Sequence, residues 1–211
     1  EISSIRTAAV TGAVLKKILS FKDTGTPIII GINGYGPIAK MHIEMLKYVC
    51  KDLSYKIKIY DVNKAIDKSN DDNLTFHDSY EDFFCNADIF ITATYSSEPY
   101  IDLRPKKGSL HLNVSLRDYK SSFIHQTDKI IVDNWEEVCR ENTDIEKMHL
   151  NEGLKKEDTF DLTDIFIQGK LNNLKSSDVI MFNPMGMAVF DIAVAWHYYN
   201  QYLFKNLGYN L

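Results

Sequence analysis

The 211-residue chain has few of the residues that staple a fold or hold a metal. Its three cysteines, Cys50, Cys85 and Cys139, are an odd number, far apart, with no C-x-x-C pair. That spacing excludes a disulfide framework and a cysteine zinc site, and it reads as reduced thiols in a cytoplasmic protein. The six histidines (His42, His77, His111, His125, His149 and His197) fall at no ligand spacing, so no metal is expected. No apolar run approaches the ~20 residues of a membrane span, and no signal-peptide pattern occurs. Basic residues number 24 against 29 acidic, a net charge of −5, and no basic stripe forms. Nucleic acid and membrane are therefore not expected partners. Repeats and low-complexity tracts are missing too, and the chain opens on Glu1-Ile2 without a methionine. It reads as the later part of a longer protein.

What is there describes an ordinary globular chain, 45% hydrophobic and 25% charged. Its length suits one domain or one and a half. The most informative stretch is Pro27-Ile28-Ile29-Ile30-Gly31-Ile32-Asn33-Gly34-Tyr35-Gly36-Pro37-Ile38-Ala39. A β-branched run leads into G-x-G-x-x-A, and a helical pattern (Met41, Met45, Leu46, Val49) opens directly behind it. Gly34 allows a tight turn, Gly36 lets the backbone approach a pyrophosphate, and Ala39 permits close helix–strand packing. Pro37 and Ile38 begin the helix, whose free N–H groups and partial positive charge suit a phosphate. The next strand, 55–60, ends on Asp61-Val62, where a carboxylate would accept both ribose hydroxyls. Gly34 to Asp61 is 27 positions, against about 20 in the usual fingerprint. Residues 50–54 absorb the excess as a helix end and loop. A methyltransferase would carry an acid at the end of the first strand, and Ile32-Asn33 stands there instead. Asp61 would repel a 2′-phosphate and no arginine lies nearby, so NAD is preferred over NADP.

Helices are expected over 3–19, 37–51, 80–86, 135–140 with a second segment to 151, 162–169 and 187–207. Strands are expected over 27–33, 55–60, 74–77, 88–94, 109–114, 129–133 and 179–182, and residues 63–73 as a frayed helix or loop. Apolar strands alternating with helices imply an α/β, doubly wound, mainly parallel Rossmann sheet with helices on both faces. The terminal helices fall outside that unit. Residues 1–22 and 187–211 are therefore assigned to an incomplete substrate and dimerisation domain, and 23–186 to the NAD-binding domain.

With Arg6-Thr7-Ala8-Ala9-Val10-Thr11-Gly12, the fingerprint resembles the ornithine cyclodeaminase and mu-crystallin family. The segments 108–118, ending Asn113-Val114-Ser115-Leu116-Arg117-Asp118, and 182–191, Phe182-Asn183-Pro184-Met185-Gly186-Met187-Ala188-Val189-Phe190-Asp191, follow in family order. Within the family, Ser115–Tyr119 and Asn183–Ala188 most resemble the branch making 2,3-diaminopropionate for siderophores and peptide antibiotics. The resemblance implies NAD-dependent oxidation of an N-(2-amino-2-carboxyethyl)-glutamate. Hydrolysis of the imine then gives 2,3-diaminopropionate and 2-oxoglutarate. It also implies a homodimeric full-length protein with upstream residues that complete the substrate domain and supply a catalytic lysine. Pro184 departs from the serine common in cyclodeaminases, so contacts there must come from neighbouring backbone groups.

The resemblance gives Asp118 the role of proton acceptor from the attacking water; alone it reads as a turn-capping aspartate. Arg6 would hold a substrate carboxylate bidentately. A cation in the first turn of a helix is electrostatically poor, and an anionic partner would relieve the conflict. Arg117 stands open between lowering the pKa of Asp118, contacting a second substrate acid and a surface role. Thr94 and Ser115 would touch the ribose or nicotinamide, and Met185 and Gly186 would line the nicotinamide face. Each of these also fits simple packing. Asp191 either orients a neighbour or faces solvent. Two other readings stay open: a cyclodeaminase converting ornithine to proline and ammonia, and a non-catalytic mu-crystallin-like nucleotide-dependent binding protein.

Overall fold

The computed structural model describes residues 2–21, 27–63 and 71–205. The 22/23 domain boundary and most of 63–73 lie outside these residues, as does the end expected for the last helix. Along the chain run α1 (Ile2–Leu19), β1 (Ile28–Asn33), α2 (Pro37–Val49), β2 (Tyr55–Tyr60), β3 (Leu74–Phe76) and α3 (Glu81–Phe84). Then come β4 (Ile89–Thr92), β5 (Leu110–Asn113), β6 (Lys129–Val132), α4 (Trp135–Val138) and α5 (Asp144–Glu152). The last elements are β7 (Thr159–Phe160), α6 (Leu162–Phe166), β8 (Ile180–Asn183) and α7 (Ala188–Lys205).

One eight-stranded sheet, in the order β3-β2-β1-β4-β5-β8-β6-β7, contains them all. Every pairing in it is parallel. The chain winds outward from β1 to β3, then returns to place β4 on the other flank of β1. That reversal opens a crevice beyond the carboxyl ends of β1 and β4, where sheets of this kind place their ligands. The doubly wound expectation is met. Sequence reasoning missed β7, a two-residue edge strand, and a 3-10 turn at Ser121–Gln126. Helix α3 is one turn where seven residues were expected, and α6 stops at Phe166, before Gly169.

Successive strand residues point to opposite faces, and the two faces carry different cores. Ile89, Ile91, Ile131, Ile180 and Phe182 pack on the α1–α2 side with Val14, Leu15, Ile18, Ile43 and Leu46. Phe90, Ile130, Val132 and Met181 face the other way, into Phe83, Phe84, Tyr119 and Phe123. Gly31 clears that second face: a Cβ there would lie 2.7 Å from the Phe83 ring and 2.8 Å from that of Phe90. Helix α1 lies along α2, and its Gly12 leaves room for Met45, whose Cγ would lie 2.6 Å from a Cβ. Helix α7 buries none of its side chains among the described residues.

Phe84 sits at the centre of the aromatic core, with ring centroids 4.7 Å from Phe90 and 5.4 Å from His111. Phe84→Ala should cost about 3–5 kcal/mol of unfolding free energy, because the cavity cannot collapse between so many rigid rings. Urea titration of the two proteins measures it; a loss below about 1 kcal/mol would mean that the face repacks freely.

Candidate functional site

The glycine turn is built as the fingerprint requires. Gly34 takes φ +95°, a conformation that side chains rarely adopt, and a Cβ there would collide with the Ala93 carbonyl. Its N–H donates to the Tyr60 carbonyl at 2.8 Å, which pins the turn to β2. Gly36 has nothing within 4 Å of where its Cβ would be. This open side faces the first turn of α2, which Pro37 begins. Pro37 lacks an N–H, but the other N–H groups of that turn have no partners in the helix. Ala39 is wholly buried against the sheet, as its small size permits.

A cleft of about 680 Å³ opens beside this turn, lined by Gly34, Gly36, Pro37, Ile38, Asp61, Val62 and, across it, Ala93, Thr94 and Tyr100. Asp61 closes its β2 end. One carboxylate oxygen accepts the Tyr35 N–H at 2.6 Å and the other the Asn63 N–H at 2.7 Å. Each oxygen keeps a further lone pair, so the carboxylate is oriented by the backbone and still able to accept from a diol. Val62, 81% exposed, forms the lip. The donor set and the bare Gly36 backbone fit a diphosphate linked to a ribose.

Asp118 is wholly buried, and it is not among the residues that line the cleft. Thr94 Oγ1 donates to Oδ1 at 2.5 Å, Ser115 Oγ donates to Oδ2, and the Tyr100 hydroxyl also bonds the carboxylate. Burial pushes the carboxyl above the usual range, while hydroxyl donors, Thr94 and Tyr100 among them, pull it back down. A hydroxyl whose proton is committed to a carboxylate shows its surroundings only acceptor lone pairs. Thr94 and Ser115 are therefore polarised to receive an amide N–H or a cationic nitrogen. Arg117 takes no part in this: its Nε and Nη2 donate to the Glu141 carbonyl at 3.3 and 2.9 Å. It does not lower the pKa of Asp118, which is raised.

The loop bearing Asp118 hangs on Asn113, at the end of β5. The Asn113 amide accepts from Thr92 Oγ1 at 3.0 Å and donates to Asn183 at 2.8 Å and Asp144 at 2.9 Å. The same Asp144 oxygen, Oδ2, accepts the N–H groups of Asp118 and Tyr119, both at 3.1 Å. Oδ1 of Asp144 is buried without a partner. Burial pushes this carboxyl up to about 7, with the Asp118 charge adding to the rise. Sequence reasoning missed Asp144, Tyr100 and Asn33, whose Nδ2 donates to the Tyr100 hydroxyl at 2.5 Å.

The turn after β8 is held by another residue that went unnoticed. Asp133 accepts the N–H groups of Met185 at 3.1 Å and Gly186 at 2.6 Å. The backbone donors expected to replace a serine at Pro184 are thus already engaged. Gly186 takes φ +96°, and the Arg6 guanidinium lies where its Cβ would be, so its missing side chain makes room for Arg6. Arg6 Nε donates to Asp191 at 3.1 Å. Asp191 is the anionic partner that the helix-end position called for, and both Nη groups remain for a ligand. The described residues contain no metal-ligand cluster and no helix long and apolar enough to cross a membrane.

Titration of Asp144 has a calculable sign. Between pH 3.8 and about 7 the folded chain holds a proton that the unfolded chain has released. On this account stability falls as pH rises through that window and levels above it. Asp118 and Asp133, also raised by burial, act in the same sense. Asp144→Asn should flatten the descent measured by urea titration across the window. An unchanged profile would show that Asp144 is not the titrating group.

The chain is 29% identical over 219 residues to N-((2S)-2-amino-2-carboxyethyl)-L-glutamate dehydrogenase of Staphylococcus aureus, covering all of this chain and 64% of that protein. It is 27% identical to Delta(1)-pyrroline-2-carboxylate reductase of Bacillus cereus, covering 98% of the chain and 66% of the relative. The chain therefore spans less than two-thirds of the length of these relatives. Among solved structures, the Thermococcus litoralis Delta(1)-pyrroline-2-carboxylate reductase in complex with NADH and L-proline superposes with a TM-score of 0.79 at 21% identity. It covers the whole chain and 68% of that structure. The family model for ornithine cyclodeaminase/mu-crystallin matches residues 1–206. This chain belongs to the ornithine cyclodeaminase/mu-crystallin family.

Proposed function

We propose that this chain is the NAD-binding part of a dehydrogenase that oxidises an amino-acid-derived secondary amine of the N-(2-amino-2-carboxyethyl)-glutamate type. Gly34, Gly36 and the α2 N-terminus would hold the pyrophosphate, and Asp61 the ribose. Bound there, NAD supplies a hydride acceptor. Arg6 binds a substrate carboxylate through its Nη groups. Thr94 and Ser115, polarised by Asp118, accept from the nitrogen that becomes cationic when the adjacent C–H leaves as hydride. Water then adds to the iminium carbon, its protons pass to the nitrogen, and the C–N bond breaks to give a primary ammonium group and a 2-oxo acid. In this reading Asp118 is a positioning residue and not the proton acceptor. Helices α1 and α7 form the base of a substrate and dimerisation domain, with Trp196, Leu203 and Phe204 exposed for its packing. The observation that carries the reading is the union of the strained Gly34 turn, the open Gly36 backbone and the fixed Asp61 in one cleft.

Product analysis on the full open reading frame tests it. Net NADH with 2-oxoglutarate supports the dehydrogenase; NADH-dependent consumption of pyrroline-2-carboxylate would make the protein a reductase, and ammonia with proline and no net NADH a cyclodeaminase. Asp118→Asn should lower kcat far more than NADH affinity, and full activity in that variant would remove Asp118 from the mechanism.

Cofactor choice rests on Asp61. Calorimetric titration should show tighter binding of NAD(H) than NADP(H), and Asp61→Ala should weaken NAD(H) by roughly tenfold while narrowing the preference. Equal or tighter NADP(H) binding by the unaltered chain would overturn this assignment.

A further inference from the structure

A second cleft of about 540 Å³ adjoins the first and shares Thr94, Tyr95 and Ser96 with it. Its far walls are Ser115 and Arg117 from the loop after β5, and Asn142 and Lys147 from the approach to α5 and its first turns. In an acidic chain this cleft gathers two cations, Arg117 and Lys147, that form no ion pair among the described residues. The Arg117 guanidinium spends Nε and Nη2 on the Glu141 carbonyl and keeps Nη1. Lys147 has no ion pair among the described residues.

The nearby acids are engaged elsewhere. Glu141 pairs with Arg140 at 3.8 Å, and Glu146 accepts the Asn142 N–H at 2.6 Å. Glu98 is the one carboxylate on the wall, and it is exposed. The backbone around the cleft is unusual as well. Leu116, Glu141 and Asn142 are all the non-glycine residues with positive φ among the described residues, at 62°, 63° and 59°. Leu116 stands between Ser115 and Arg117, and Asn142, just after Glu141, is on the wall as well. Strained backbone of this kind persists where a site over-determines it.

We propose that the second cleft is an anion subsite, in which Arg117 and Lys147 take a carboxylate carried on a second arm of the substrate. The substrate class is then a dicarboxylate or richer, with one acid on Arg6 and another here. A monocarboxylate would leave both cations of this cleft unpaired. The inference rests on the first cleft holding the dinucleotide, since the shared wall of Thr94–Ser96 is what places a substrate arm in the second.

Calorimetry on the full open reading frame with NADH present tests it, with glutarate and butyrate as the probes. Glutarate should bind more tightly than butyrate. Lys147→Ala should weaken glutarate by roughly tenfold, and leave butyrate and NADH affinity unchanged. Lys147→Glu should abolish the glutarate preference. Because Lys147 holds nothing else in place, neither change threatens the fold, and thermal melting checks that. The proposal is overturned if the unaltered protein shows no preference for glutarate, or if both Lys147 variants bind glutarate as it does. Failure of the dinucleotide reading looks different: NADH fails to bind while glutarate still depends on Lys147, an outcome that leaves the anion subsite standing.

Discussion

The buried amide of Asn113 joins three strand ends to the start of a distant helix, and the site depends on it. One group accepts from Thr92 on β4, donates to Asn183 on β8 and donates to Asp144 at the start of α5. Its carbonyl also takes the Leu116 N–H at 3.2 Å, which turns the chain sharply after β5. A buried polar group left without a partner costs about 1–3 kcal/mol, so these bonds leave the loop few alternatives. That loop carries Ser115, Arg117 and Asp118 together. The left-handed Leu116 is tolerated because its neighbours are fixed on both sides.

Charge is distributed in the site by a simple division. The buried carboxylates Asp118, Asp144 and Asp133 are all held by neutral donors, hydroxyls or amide N–H groups. Among the described residues no arginine or lysine neutralises any of them, and burial raises all three pKa values. In their ionised form these carboxylates can polarise the hydroxyls that donate to them and favour a cationic intermediate. The cations are kept at the surface of the site instead. Arg6 gives only Nε to Asp191, and the Lys147 ammonium has no ion pair among the described residues.

Much of the fold was legible because its strands are buried on both faces and read as apolar runs, such as Ile28–Ile32 and Ile89–Ile91. The glycine turn was legible because a left-handed turn against a neighbouring carbonyl leaves no other residue at Gly34. What could not be read was short or non-periodic. Two residues, Thr159-Phe160, make a strand only because β6 lies beside them. Tyr100 reaches the site from a loop and Asp144 from the start of α5, and nothing in a linear sequence marks a polar side chain that tertiary packing will bury. The one available signal was positional: Asn33, Thr92, Asn113 and Asn183 each close an apolar strand, and Asp133 follows one. Polar strand ends in a parallel sheet converge on one edge. Arg117 stood open for a related reason, since adjacency to Asp118 in sequence says nothing about direction when Leu116 reverses the backbone.

The position of β8 explains how residues near both ends of the described chain meet at that edge. The last strand enters between β5 and β6, not at the rim, so its carboxyl end lies near the middle of the sheet. Asp133, just past β6, can then capture the Met185 and Gly186 N–H groups and fix the turn into α7. A fixed turn with a bare Gly186 makes a slot for the Arg6 guanidinium, and α7 supplies Asp191 to hold it there. Any side chain at position 186 would fill that slot and displace the cation. The arginine is therefore aimed by a strand order and a missing Cβ, with its ion pair fixing one nitrogen and leaving the other two without a bond among the described residues.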